Sequence, residues 1–305
     1  MTCRQLLPDQ FAFGRDEYAE DSYPIQKGLP RLVAELADGT ETGADADLHF
    51  ILSLLAFAHL GYPCPFDTRQ VLDMGVALSI HFIRGRWVKA HPDLARTIDK
   101  RPDNPELEWF DAYRQGLLVI LLSDRDAELG ELADWPESWI ETDRSVCRVD
   151  PLYAKLYLLV ANPLRTEPFP NVEELRSMFR GTRKKELKLL YGTWEAVLAR
   201  DQAAFAQGIV ASVLQWERSY DGYCAHPKNC IAEDGSTILA AGRRLGMQMP
   251  QLEPRVAARL LTRESIRLGT SQAVPACYES PSAASGGLHP LQKLLQGFGV
   301  INRDD

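Results

Sequence analysis

The sequence lacks the short motifs through which many enzymes hold their reacting groups. There is no Gly-x-x-x-x-Gly-Lys-Ser/Thr loop, no Gly-x-Gly-x-x-Gly, no His-Glu-x-x-His and no Gly-x-Ser-x-Gly elbow. Each of these fixes a phosphate, a metal or a nucleophile by local geometry. A catalytic site here would have to be assembled from distant residues. Long apolar runs are missing too: Gly116–Leu122 falls far short of the ~18 residues of a spanning helix. Asp9, Asp16 and Glu17 stand where a secretory leader would be apolar, so a cytoplasmic protein with no membrane contact is expected.

Cysteine is sparse. Cys3, Cys64, Cys147, Cys224, Cys230 and Cys277 are scattered and form no disulfide framework. Cys224, His226 and Cys230 are the best metal candidates, since thiolates and imidazole at short spacing bind zinc. A structural site needs a fourth ligand, and no second Cys/His pair follows, so no zinc and no other cofactor is expected. His49, His59, His81 and His91 have no neighbour in sequence to orient a ring nitrogen, and are read as core or surface histidines. Positive charge is short as well: 34 Lys and Arg oppose 42 Asp and Glu, for a net charge of -8. That balance disfavours direct nucleic-acid binding, which needs a dense basic surface, and suits a basic partner.

Alternating strand patterns are short and isolated, whereas helical periodicity is widespread. The spacing predicts helices over 48–60, 69–87, 106–122, 125–132, 151–160, 172–179, 187–199, 202–223, 235–245 and 254–267. The 305 residues are therefore expected to form an all-α bundle of packed helical hairpins. Residues 1–100 read as an N-terminal helical region with an irregular start and 101–268 as the hairpin region. Residues 269–305, rich in Ser, Gly and Pro at first, read as a loop or tail; the alternative organisation is one continuous domain.

Two breaks look alike. Leu122-Ser123-Asp124-Arg125-Asp126 and Leu198-Ala199-Arg200-Asp201 both follow an apolar helix end and precede a new helix, with Leu129 and Phe205 beyond. Asp126 and Asp201 are expected to cap the second helix of each hairpin.

Charge is distributed unevenly. Residues 103–150 hold thirteen acids against four arginines and no lysine, a balance of -9, which leaves the remainder near neutral. One reading is a solvated face with helix caps. The other is an anionic docking surface, for which Glu131, Asp134, Trp135, Glu137, Trp139, Glu141 and Asp143 are the candidates, because aromatics among acids suit a hot spot. A basic counter-segment, Arg176, Arg180, Arg183, Lys184, Lys185 and Lys188, reads as a solvated face or as a site for an acidic surface, including that of another copy in a homodimer.

Two stretches resemble the immunity protein 49 family of bacterial polymorphic toxin systems. The first is Trp109-Phe110-Asp111-Ala112 with Leu117–Leu132. The second is Trp194–Leu214 with its Arg200-Asp201 break and Phe205, continuing to Asp234-Gly235, Leu239-Ala240-Ala241 and Arg244-Leu245-Gly246. Together they span about residues 105–250. The resemblance implies a helical, non-enzymatic protein that neutralises a cognate toxin by binding it. A cytoplasm-acting toxin such as a nuclease, often basic, is the expected partner. The alternatives are a helical adaptor or chaperone, and an enzyme with a site built from distant residues.

Overall fold

The computed structural model describes residues 44–60, 68–81, 106–123, 125–134, 151–169, 171–219 and 230–268. Of these residues 79% are helical and none lies in a strand, so the all-α expectation holds. The helices are α1 Ala44–His59, α2 Thr68–His81, α3 Glu106–Leu122, α4 Asp126–Ala133, α5 Pro151–Ala161, α6 Val172–Gly181, α7 Lys185–Leu198, α8 Gln202–Ser219, α9 Glu233–Arg244, α10 Pro254–Ala257 and α11 Arg263–Leu268. A 3-10 turn, Asn162–Leu164, extends α5. Among the described residues no helix is long and apolar enough to cross a membrane.

The hub is α3. Tyr113 and every residue from Leu117 to Leu122 are buried, an apolar surface on all sides that only a surrounded helix can keep. It packs on α1, α2, α4, α5 and α9. The second layer is the α7–α8 hairpin, which approaches closely at Gly208. A Cβ there would meet Thr193 Oγ1 at 2.4 Å, so glycine is what lets the two backbones come together. Trp194 on α7 is buried and donates its indole N–H to Leu159 O at 3.0 Å, tying the hairpin to α5. Phe179 of α6 stacks on Tyr191 of α7 with centroids 5.0 Å apart.

Residues 254–267 do not form the single helix expected. The chain breaks at 258–262, because backbone groups there serve other elements. Arg259 O accepts from Ala232 N at 2.8 Å, and Leu261 N donates to Ser236 Oγ at 3.0 Å. Thr262 and Ser265 then restart the helix with reciprocal backbone-to-side-chain bonds of 3.1 and 3.2 Å, a small capping box. This C-terminal segment folds back on the first helices. His59 Nε2 lies 3.0 Å from Ala258 O, and Thr68 Oγ1 donates to Ile266 O at 3.4 Å. Burial holds the His59 imidazole below its ordinary pKa, so the ring packs neutral.

The two Arg–Asp breaks differ. At the second, Asp201 Oδ1 accepts from Ala204 N at 2.9 Å, the expected cap. At the first, the cap position is Arg125 and no side chain caps the helix. Asp126 is already helical and pairs with Arg244, which corrects its expected role. Arg125 N donates instead to Ser123 Oγ at 3.1 Å.

Candidate functional site

Three ionic clusters stand out among the described residues, two of them on α9, whose first turn carries Glu233 and Asp234 and whose last carries Arg243 and Arg244. The first joins α3, α5 and α9. Arg114 on α3 reaches Glu233 Oε2 at 2.8 Å and Asp234 Oδ1 at 3.9 Å. Tyr153 and Tyr157 lie four residues apart on α5 and therefore on one face. Both hydroxyls donate to Asp234 Oδ1. Phe110 on α3 sits edge-on to both rings, with centroids 5.7 and 5.6 Å away. Burial, reinforced by the Asp234 carboxylate, holds both phenols well above their ordinary pKa, so they remain donors. Burial alone would lower the Arg114 guanidinium. Glu233 chiefly outweighs it, and the charge stays on.

A narrow cleft opens beside this cluster, lined by Glu186, Ser212, Gln215, Trp216 and Asp234 among others. The carboxyl of Glu186 is raised by desolvation first and then by the charge on Asp234. Like charges sharing a cleft produce this effect.

The second cluster is the Arg259–Glu217 pair. Arg259 has no exposed surface, and its Nε lies 2.9 Å from Glu217 Oε1. Its Nη1 donates to Cys230 O at 3.3 Å, and Arg255 holds the other carboxylate oxygen at 2.8 Å. The third is Arg244, which crosses from the end of α9 to the end of α3. It donates to Leu121 O at 3.3 Å and to Ser123 O, and it pairs with Asp126. The last carbonyls of α3 lack partners within their own helix, and a cation from another helix supplies them.

Of the residues singled out from the sequence, Glu131 is half-buried on α4 and Asp134 ends that helix. Asp134 takes Thr166 N at 2.9 Å on one oxygen and the Thr166 hydroxyl at 2.7 Å on the other, an anchor for the loop after α5. Trp135, Glu137, Trp139, Glu141 and Asp143 lie outside the described residues, as do Cys224 and His226. Cys230 is buried. Among the described residues no three His, Cys, Asp or Glu side chains are grouped as a metal ion would need.

Sequence reasoning missed the Asp234 cluster. Its local trace was the Tyr153/Tyr157 pair at helical spacing. The Arg114 and Glu233 positions are 119 apart in the chain and have no such trace.

The class shown is an all-α protein of packed hairpins. Compared with known proteins, the chain matches no family model, no curated protein and no solved structure.

Proposed function

We propose that the chain is an immunity protein that binds and neutralises a cognate bacterial toxin, most naturally a basic one acting in the cytoplasm. Two things support the reading. The segments from Trp109 and from Trp194 resemble the immunity protein 49 family, and residues 103–150 concentrate acid to a balance of -9. The second carries the partner's chemistry, because a field of one sign steers and selects a partner of the other.

The test is binding of the purified chain to the toxin encoded beside it, at two salt concentrations. Asp134 is left intact, since its oxygens hold Thr166. A Glu131→Lys, Glu137→Lys, Glu141→Lys variant should keep its helical circular dichroism, associate more slowly and protect less. Wild-type affinity with unchanged salt dependence would remove the acidic segment from the interface. No binding by the unaltered chain would remove the function.

A further inference from the structure

The helix α6 is strongly two-faced. Leu175 and Phe179 are buried, while Glu173, Glu174, Ser177, Met178, Arg180 and Gly181 are exposed. Residues four apart lie on one face, so Glu173, Ser177 and Gly181 form one row along the outer surface. The row is small at its centre and its end. A Cβ built on Gly181 meets nothing within 4 Å. Met178 flanks the row at 40% exposure, one of two large apolar side chains so exposed among the described residues.

Charge runs along the same face, with Glu173 and Glu174 at the start and Arg180 and then Arg183 at the end. Acid first and base last also suits the helix's own dipole. The dipole explains neither the exposed Met178 nor the small residues between the charges. Glu173 is hydrogen-bonded to Arg176 through one oxygen at 2.5 Å and leaves the other 4.0 Å from Arg180 within its own chain. The Glu173 and Arg180 side chains are 72% and 61% exposed, and although Arg180 also reaches the Tyr191 hydroxyl, the 4.0 Å pair is loose enough to exchange partners.

We propose that α6 is a self-docking surface, on which a second copy of this chain lays its own α6 antiparallel about a two-fold axis near Ser177. An isologous contact requires a self-complementary surface. Here the axis puts Glu173 of one copy opposite Arg180 of the other, twice, since the two residues lie four before and three after Ser177 on the same flank. It brings the two Met178 side chains together on the opposite flank. Ser177 and Gly181 leave room for the backbones to approach. Ten residues span about 15 Å, so one helix pair buries less than the ~1,200 Å² of a stable interface. The dimer is therefore weak, concentration-dependent and sensitive to salt.

Sedimentation of the full chain over a wide concentration range tests this. At low salt the mean mass should rise toward that of a dimer, and in about 1 M salt, where the Debye length is about 3 Å, it should fall back. Arg180→Glu alone, or Glu173→Arg alone, should leave a monomer with unchanged circular dichroism. Mixing those two single variants should restore association, because each then offers the charge the other lacks. The double variant Glu173→Arg, Arg180→Glu should associate by itself. A monomer at every concentration would overturn the proposal. So would single variants that dimerise like the unaltered chain, or a mixture that stays monomeric.

Discussion

The two helical breaks that read alike, Asp124-Arg125-Asp126 and Arg200-Asp201, are held by different forces. The second is local. Arg200 N bonds to Val197 O at 3.1 Å and Asp201 N to Ala196 O at 2.9 Å, so Arg200 takes the left-handed position of a Schellman end, at φ 56°. Asp201 then caps α8. The first break draws on other helices as well: Arg244 arrives from α9 at Leu121 O, Ser123 O and Asp126, and Asp73 of α2 lies 3.6 Å from Arg125. The same Arg-Asp letters thus sit one step apart in structural role. Arg125 is at the cap and Asp126 is inside the helix, whereas Arg200 ends a helix and Asp201 is the cap. Local bonds exist at the first break too, Ser123 N to Ile120 O at 3.0 Å and Arg125 N to Ser123 Oγ at 3.1 Å, and the cation from α9 is added to them.

Substitutions separate the two. The largest loss should come from Arg244→Ala, which removes the guanidinium that reaches Leu121 O, Ser123 O and Asp126 and leaves those carbonyls without it. Hydrogen bonds to a charged group are worth about 1.5–3 kcal/mol, and a loss of that order in urea denaturation is expected. If stability were unchanged, the first break would be as local as the second.

Packing gives the next contrast. Gly208→Ala drives a methyl into Thr193 and should cost about 1–3 kcal/mol, the usual range for overpacking. Gly130→Ala on α4 meets open space and should instead stabilise, by roughly 0.5–1 kcal/mol from helix propensity. Thermal melts of the pair would show opposite signs. Equal signs would mean that the two hairpins are equally tight.

Capping comes third. Asp201→Ala should cost about 0.5–2 kcal/mol. Asp126→Ala, removing a carboxylate whose side chain is 80% exposed, should cost about 0–1 kcal/mol, as exposed ion pairs do. Hydrogen exchange at Ala204 and Phe205 should accelerate in the Asp201 variant alone. Matching losses in the two variants would erase the distinction.

The smallest effect carries the opposite sign. Arg200→Gly relieves a side chain from a left-handed backbone and should stabilise by roughly 0.5–1 kcal/mol. Arg125→Gly, at φ -93°, should gain nothing. A melting temperature that falls in the Arg200 variant would mean that its side chain makes contacts worth more than the backbone relief.

Most helix positions were legible because their signals are local. Glu106–Leu122 coincides with its expected span, and Asp103-Asn104-Pro105-Glu106 announces its start. Pro151 and Asn162-Pro163 bracket α5 just as directly. The break at 258–262 was not legible, because it depends on Ala232 and Ser236, more than 20 positions away. The candidate docking residues were chosen from charge density. For Asp134, density did not reveal that both oxygens hold Thr166.

By itself the sequence determined an all-α chain, the approximate span of most helices, the cap at Asp201 and the uneven spread of charge. Periodicity, capping and net charge are properties of neighbouring residues, and neighbours are what a sequence records. Only the tertiary structure decided that Arg114, Tyr153, Tyr157, Glu233 and Asp234 form one cluster. It also decided that Arg244 closes α3 and that α6 turns Met178 outward between opposite charges. These depend on which helices meet and at what rotation, a result of packing apolar faces across long stretches of chain.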